Sequence, residues 1–259
     1  MPSNSARSER HGFRDIAAKI REEIIDGRYP TGSVLPAEPE LADRYGASRS
    51  LVNRAMQVLA AEGMVRPRQG RGTMVTWLPP MLHSPARYDR TKRENNGARG
   101  AFDAEVRALG LEPKHEITTE HAEPPAEVAE LLGVPTGEAN CLVRRRRLLA
   151  SDIPVRINES WFPLDIAEGT VLEEDGPVIV GGVKSALAEL GYPQVSARER
   201  ITPSRLPTDA EARALEISPE RTVIQITHVG MTAEGRAVEV TVTVAPAHYL
   251  TAQYEFPLA

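Results

Sequence analysis

The chain has 259 residues, a net charge of −5 and one cysteine, Cys141, which excludes an intramolecular disulfide and a multi-cysteine zinc site and fits a reducing cytoplasm. No apolar run reaches the roughly 18 residues of a membrane span and residues 1–12 are polar, so neither a span nor a signal peptide is expected. Charge is unevenly placed: residues 1–100 carry 17 Lys and Arg against 11 Asp and Glu, and residues 101–259 carry 14 against 25, so only the first part is drawn to a polyanion.

Phe13, Ile16, Ile20 and Ile24 recur at helical spacing and predict a helix from Phe13 to Asp26, followed by a turn from Gly27 to Leu35. A second helix, Ala37 to Tyr45, places Pro39 between Glu38 and Glu40 in its first turn, where a missing N–H costs nothing and negative charge suits the dipole. After Gly46-Ala47 a third helix opens on Ser48 as N-cap and closes at Gly63. Its Val52, Ala55, Met56 and Leu59 form an apolar arc, and Ser50, Asn53, Arg54 and Gln57 gather opposite. A solvated helix face mixes both charge signs. This one holds no acid, and its hydroxyl, amide and guanidinium groups match base edges and phosphates. Met64 to Arg68 and Thr73 to Thr76 then read as two strands around Gln69-Gly70-Arg71-Gly72, a basic wing whose tip can approach phosphates.

Residues 13–76 resemble the winged helix-turn-helix of the GntR family of bacterial transcription regulators. The motifs are Leu35-Pro36-Ala37-Glu38 with Leu41-Ala42, Ser48-Arg49, Leu59 with Glu62-Gly63, and Arg68-Gln69-Gly70-Arg71-Gly72-Thr73. The DNA contacts expected on this basis are Arg49, Ser50, Asn53, Arg54 and Gln57 of the third helix and Gln69, Gly70, Arg71, Gly72 and Thr73 of the wing. Pro39 stands where a phosphate-contacting Arg is frequent in the family, and Asn53 where an Arg is usual, so the operator is expected to differ.

The expected division is a DNA-binding domain over 8–77, a linker over 78–99 and a second domain over 100–259. The linker is rich in Pro and carries Arg87, Arg90, Lys92 and Arg93, which fit either a solvated spacer or an unspecific phosphate tether. Phe102, Val106 and Leu109 predict a short helix closed by Gly110. A pattern then appears twice at an interval of 83 residues: a helix (126–132, then 209–215), a strand (141–149, then 222–231), a turn and a returning strand (155–162, then 238–244). Between the copies, Gly181-Gly182 opens a helix from Val183, and Val195 to Ile201 predicts a strand. Hairpin turns make the sheet antiparallel, with helices expected against one face, so the second domain is α+β.

That domain resembles the UTRA effector domain of the HutC branch of GntR regulators, a fold shared with chorismate lyase. The carrying residues are Phe102 with Gly110, Arg145 to Leu149 before Pro154, Ser160-Trp161-Phe162-Pro163, Gly182, Glu199 and Val238-Glu239-Val240. The resemblance implies a homodimeric cytoplasmic repressor that releases a palindromic double-stranded DNA operator when a small-molecule effector binds. Arg144 to Arg147 form a run of four arginines in one strand, so two face each side. Counted from Pro154, with one residue allowed for the turn, the family's anion-binding pair falls on Arg145 and Arg147. The alternative is that these two pair with Glu199 or Glu239 to hold the sheet.

Effector contacts are expected from Phe102, Asp103, Arg145, Arg147, Asn158, Gly182 and Glu239. Asp103, Gly181-Gly182, Asn158 and Ala245 depart from the members that sense sugar phosphates, and a carboxylate at 103 repels phosphate, so a smaller or less charged metabolite is expected. The rival reading is an enzyme of chorismate-lyase-like fold fused to a DNA-binding domain. Against it, the six histidines lack metal-ligand spacing and no nucleophile elbow or phosphate loop is present, so neither metal, cofactor nor catalytic residue is expected.

Overall fold

A computed structural model describes residues 12–85, 100–176 and 178–255, and the chain divides into two compact units between Leu78 and Pro79. The linker cations Arg87, Arg90, Lys92 and Arg93 lie outside the described residues.

In the first unit, α1 (Phe13–Ile25) buries Ile16, Ile20 and Ile24. Helix α2 (Glu38–Tyr45) starts where the Glu40 carboxylate accepts the Ala37 N–H at 3.0 Å and stops at left-handed Gly46. Helix α3 (Arg49–Glu62) starts where Ser48 Oγ accepts the Leu51 N–H at 3.3 Å and stops at Gly63. Val52, Ala55 and Leu59 of α3 are fully buried with Ile16, Ile20 and Leu41, each large aliphatic contributing about 1.5–3 kcal/mol. That packing fixes the rotation of α3 and turns its polar face outward. Arg21 binds Glu62 at 2.6 Å and Arg44 binds Glu23 at 2.6 Å, tying α3 and α2 to α1. Strands β1 (Val65–Arg68) and β2 (Gly72–Val75) form the antiparallel wing. Gly72 has φ +80°, and a Cβ there would stand 2.8 Å from Val34 Cγ1, beside the bridge from Val34 to Met74.

The second unit begins with β3 (Met81–His83), a strand inside the stretch expected to be linker. It is followed by α4 (Ala101–Ala108), β4 (Pro113–Ala122), α5 (Ala126–Leu132), β5 (Cys141–Ala150), β6 (Ile153–Pro163), α6 (Leu164–Ala167) and a 3-10 turn, Val171–Glu173. Then come α7 (Val183–Glu189), β7 (Ser196–Arg205), α8 (Asp209–Leu215), β8 (Val223–Met231), β9 (Ala237–Pro246) and β10 (Leu250–Ala252), which pairs in parallel with β3. Among the described residues the main sheet is six-stranded and antiparallel, in the order β4-β5-β6-β9-β8-β7.

The internal repeat is longer than the sequence pattern showed. Strand β4 starts at 113 and β7 at 196, the same 83-residue interval, so each copy is strand, helix, strand, strand. The copies meet where β6 pairs with β9, and they pack crosswise: α5 of the first lies chiefly on β9 of the second, and α8 of the second on β6 of the first. Both copies also carry the same β-bulge. Val155 is skipped between the pairs Leu148↔Arg156 and Leu149↔Pro154, and Val238 between Gly230↔Glu239 and Met231↔Ala237.

Helices cover both faces of this sheet, where one was expected. Val143, Trp161 and Val240 receive α5 on one side, while Leu142 and Phe162 receive α6 and α7 on the other, because the central strands are apolar on both faces at this end. Among the described residues no helix is long and apolar enough to cross a membrane.

Candidate functional site

The outward face of α3 carries Arg49, Ser50, Asn53, Arg54 and Gln57, all exposed. They are not independent. Asn53 Nδ2 donates to Glu38 Oε1 at 3.1 Å, Gln57 Nε2 donates to Asn53 Oδ1 at 3.1 Å, and the Arg54 guanidinium lies 4.2 Å from the Phe13 ring centroid. The face that holds no acid of its own therefore acquires one from α2. Beside it the wing exposes Gln69, Gly70, Arg71 and Gly72, with Thr73 half-buried. Gly70 has φ +71°, which turns the tip, and the Arg71 N–H closes the turn onto the Arg68 carbonyl at 3.0 Å. An exposed cationic helix face beside a cationic turn suits a duplex: the helix fits the major groove and the turn a flanking backbone.

In the second unit a cavity of about 180 Å³ lies against the sheet face covered by α4 and α7. Phe102, Asp103, Asn158, Gly182 and Glu239 line it, as do Arg144, Arg146, Arg156, His83, His115 and His228. Arg145 and Arg147 do not. They project from the opposite face, where Arg145 binds Glu159 at 3.0 Å and also Glu120, and Arg147 binds Glu116 at 2.9 Å and Glu216 at 2.6 Å. Against expectation, the two arginines of this run that face the cavity are Arg144 and Arg146, and the partners of Arg145 and Arg147 are these four glutamates, not Glu199 or Glu239. The cause is the one residue allowed for the turn: successive strand residues alternate faces, so a count displaced by one exchanges the two sides.

The two inward arginines differ. Arg144, 1 % exposed, spends its guanidinium on the carbonyls of Leu172 (2.5 Å) and Glu174 (2.9 Å), fastening the 3-10 turn to the sheet. Burial, and then repulsion from Arg146, lowers its pKa to about 10. Arg146 instead heads a chain that ends on a carboxylate. Its Nη2 donates to Ser160 Oγ (2.8 Å), Ser160 and Thr241 hydroxyls share a 2.6 Å bond, and Thr241 Oγ1 donates to Glu239 Oε1 (2.7 Å). Ser160 accepts from a cation and Thr241 must donate to an anion, so the middle bond runs from Ser160 to Thr241. Gln194 Nε2 donates to the other Glu239 oxygen at 2.7 Å. Burial alone would raise the Glu239 pKa. His228, these two hydrogen bonds and Arg146 outweigh it and hold the group ionised, below its usual value.

At the α4 end, Asp103 Oδ1 lies 2.6 Å from His115 Nε2, and that ring stands edge-on to Phe102 at 5.4 Å. The Asp103 carboxylate thus already has a hydrogen-bonding partner within the cavity wall. Two buried acceptor-type atoms of this lining, Asn158 Oδ1 and His115 Nδ1, have no hydrogen-bond partner among the described residues. With Glu239 they make a cavity suited to a molecule bearing N–H or O–H groups. Gly182 contributes backbone at the start of α7, next to Gly181, whose φ of +77° shapes the turn. The histidines of this wall had no metal-ligand spacing in the sequence. Their signal was alternation: His228 shares a face with Ile226, and Glu199 stands opposite it.

Residues 13–75 match the family described as bacterial regulatory proteins, gntR family, and residues 108–251 match the UTRA domain. An HTH-type transcriptional regulator of Streptomyces coelicolor is 29% identical over 94% of this chain and 92% of its own. One of Rhizobium meliloti is 31% identical over 88% and 87%. The crystal structure of a GntR-family transcriptional regulator, 25% identical, superposes with a TM-score of 0.58 over 97% of this chain and 100% of its own. The chain belongs to the GntR family of bacterial regulatory proteins and is a transcriptional regulator whose DNA-binding winged helix-turn-helix precedes a UTRA domain.

Proposed function

We propose that the protein is a cytoplasmic, homodimeric repressor that reads a palindromic operator and releases it when a small polar effector occupies the cavity of the second unit. The observation that carries this reading is the polarised chain from Arg146 through Ser160 and Thr241 to Glu239, an ion pair relayed by two buried hydroxyls along a cavity wall. Phe102, Asp103, Asn158, Gly182, Glu239 and Arg146 are assigned to the effector; Arg49, Ser50, Asn53, Arg54, Gln57 and the wing residues 69–73 to DNA. Domains 8–77 and 100–259 are the reader and the sensor. Dimerisation follows from the need for specificity, because one winged domain offers too few base contacts to compete with a genome of unspecific sites. The effector must bind the DNA-free arrangement more tightly than the DNA-bound one, and operator DNA must weaken effector binding by the same factor.

The cavity is read as a sensor and not as a catalytic site, in keeping with relatives that are transcriptional regulators. Footprinting of the full-length protein on the DNA upstream of its own gene, followed by a screen of metabolites for release, tests the reading. A two-fold symmetric footprint, lost on adding a metabolite that is recovered unchanged, is the expected result. Chemical turnover of the metabolite, or a footprint without symmetry, contradicts it.

A further inference from the structure

On the DNA-reading face, Glu38 is the first residue of α2 and makes no salt bridge among the described residues. An acid beside a surface that meets phosphates weakens binding through repulsion, so its placement calls for a return. The hydrogen bonds supply one. A carboxylate only accepts, so the bond from Asn53 Nδ2 to Glu38 Oε1 forces the Asn53 amide to hold its nitrogen toward Glu38. The Asn53 oxygen is then turned to Gln57, whose amide must present its nitrogen in return, leaving the Gln57 oxygen directed away. Exposed amides otherwise exchange their oxygen and nitrogen ends at little cost, and an amide pair alone would accept either polarity. One anion removes that freedom from both.

We propose that Glu38 is a specificity-determining residue: it sets the donor and acceptor polarity of Asn53 and Gln57, and so decides which base edges these two side chains accept. It acts through Asn53 as a positioning residue, and the inference rests on the assignment of this face to base reading. The geometry distinguishes Glu38 from Glu40, two residues further on in the same turn, whose carboxylate is used to cap α2 through the Ala37 N–H.

The test is selection of full-length protein on random-sequence duplexes, with sequencing of the bound DNA, for the wild type, Glu38→Gln and Asn53→Leu. The wild type is expected to prefer one base by about five-fold or more at the positions these amides reach in each half-site. Glu38→Gln keeps the shape and an acceptor but can flip. It should lower the preference to under about two-fold at those positions only, while affinity for random DNA holds or rises as the anion is removed. Asn53→Leu should erase the same positions. If Asn53→Leu erases them and Glu38→Gln keeps the wild-type pattern, the polarity role is overturned and base reading stands. If Asn53→Leu leaves the pattern intact, base reading by this face fails, and the inference with it. A uniform loss at every position in Glu38→Gln, whatever its melting temperature, overturns the proposal in favour of a structural role.

Discussion

Glu199 stands opposite His228 in the β7–β8 ladder and binds it, Oε1 to Nδ1, at 3.1 Å. Its second oxygen lies 3.0 Å from His83 Nε2 and accepts the Tyr254 hydroxyl at 2.7 Å. One largely buried carboxylate therefore joins the cavity wall to β3, the strand that begins three residues after Leu78. Glu199→Leu removes the shared acceptor of two buried imidazoles. The expected loss is on the order of 1–3 kcal/mol, read as a lower urea midpoint with an unchanged slope. An unshifted midpoint would show that the cluster contributes nothing to stability.

The two arginine pairs of β5 should separate cleanly. Arg145 and Arg147 make half-exposed ion pairs, a type worth roughly 0–1 kcal/mol, so Arg145→Ala and Arg147→Ala should bind any stabilising metabolite as the wild type does. Arg146→Ala takes the head off the chain to Glu239 and should weaken that binding about ten-fold or more, the effect of losing a charged hydrogen bond. Thermal-shift titrations of the three variants with one metabolite decide it. Equal behaviour of Arg145→Ala and Arg146→Ala would remove the cavity assignment.

Arg49 and Arg71 are exposed, one on α3 and one at the wing tip. Each, replaced by Ala, should weaken binding to all sequences alike and flatten the plot of log affinity against log salt by about 1 unit, as a lost phosphate contact does. Fluorescence anisotropy on operator and random duplexes at several salt concentrations measures both quantities. A loss confined to the operator would mark the residue as a base reader instead.

Acid should find His248. Burial first, then the nearby Arg221, push its pKa down to about 3, and its Nε2 is buried with no partner among the described residues. The unfolded chain takes up this proton near pH 6.5 and the folded chain only near 3, so the stability is complete above about 6.5 and is lost as pH falls through that window. His248→Gln should flatten the fall between pH 7 and 5. Denaturation curves at those two pH values that shift equally in both proteins would contradict the assignment.

At Gly72 the positive φ and the close approach of Val34 act together. Gly72→Ala should cost about 1 kcal/mol or more and distort the wing. Calorimetry and operator affinity, measured on the same preparation, should fall together.

Much of this was legible in the residues, for identifiable reasons. The first three helices carry caps and apolar arcs that depend only on local chemistry, and α3 ends at Ser48 and Gly63 as the sequence requires. The two repeat helices were legible to the residue for the same reason. Strand β4 was not: Lys114, Glu116, Thr118 and Glu120 alternate with His115, Ile117, Thr119 and His121, a polar edge strand with almost no apolar period to detect. Five of the seven residues expected around the effector, Phe102, Asp103, Asn158, Gly182 and Glu239, do line the cavity. The arginines were misplaced because the count across the turn from Pro154 allowed one residue too many, and one residue is enough to exchange the faces of a strand. His83 and His115 were passed over as isolated histidines, since their partners Glu199 and Asp103 are neighbours only through the sheet and through α4.

The paired bulges also bear on how this cavity can change over generations. Past Val155 and Val238 the next residues are Arg156 and Glu239, repeat counterparts of opposite charge that both face the cavity. Two identical halves would place the same residue at both ends, so the difference at this matched pair contributes to the polarity of the pocket. Because each bulge sets the phase of its strand, inserting or deleting one residue near either hairpin would exchange the cavity-lining side chains of that strand for their outward neighbours. Shifts of ligand preference within this lineage should accordingly arise by substitution at alternate positions, while hairpin length at 151–155 and 232–238 stays fixed.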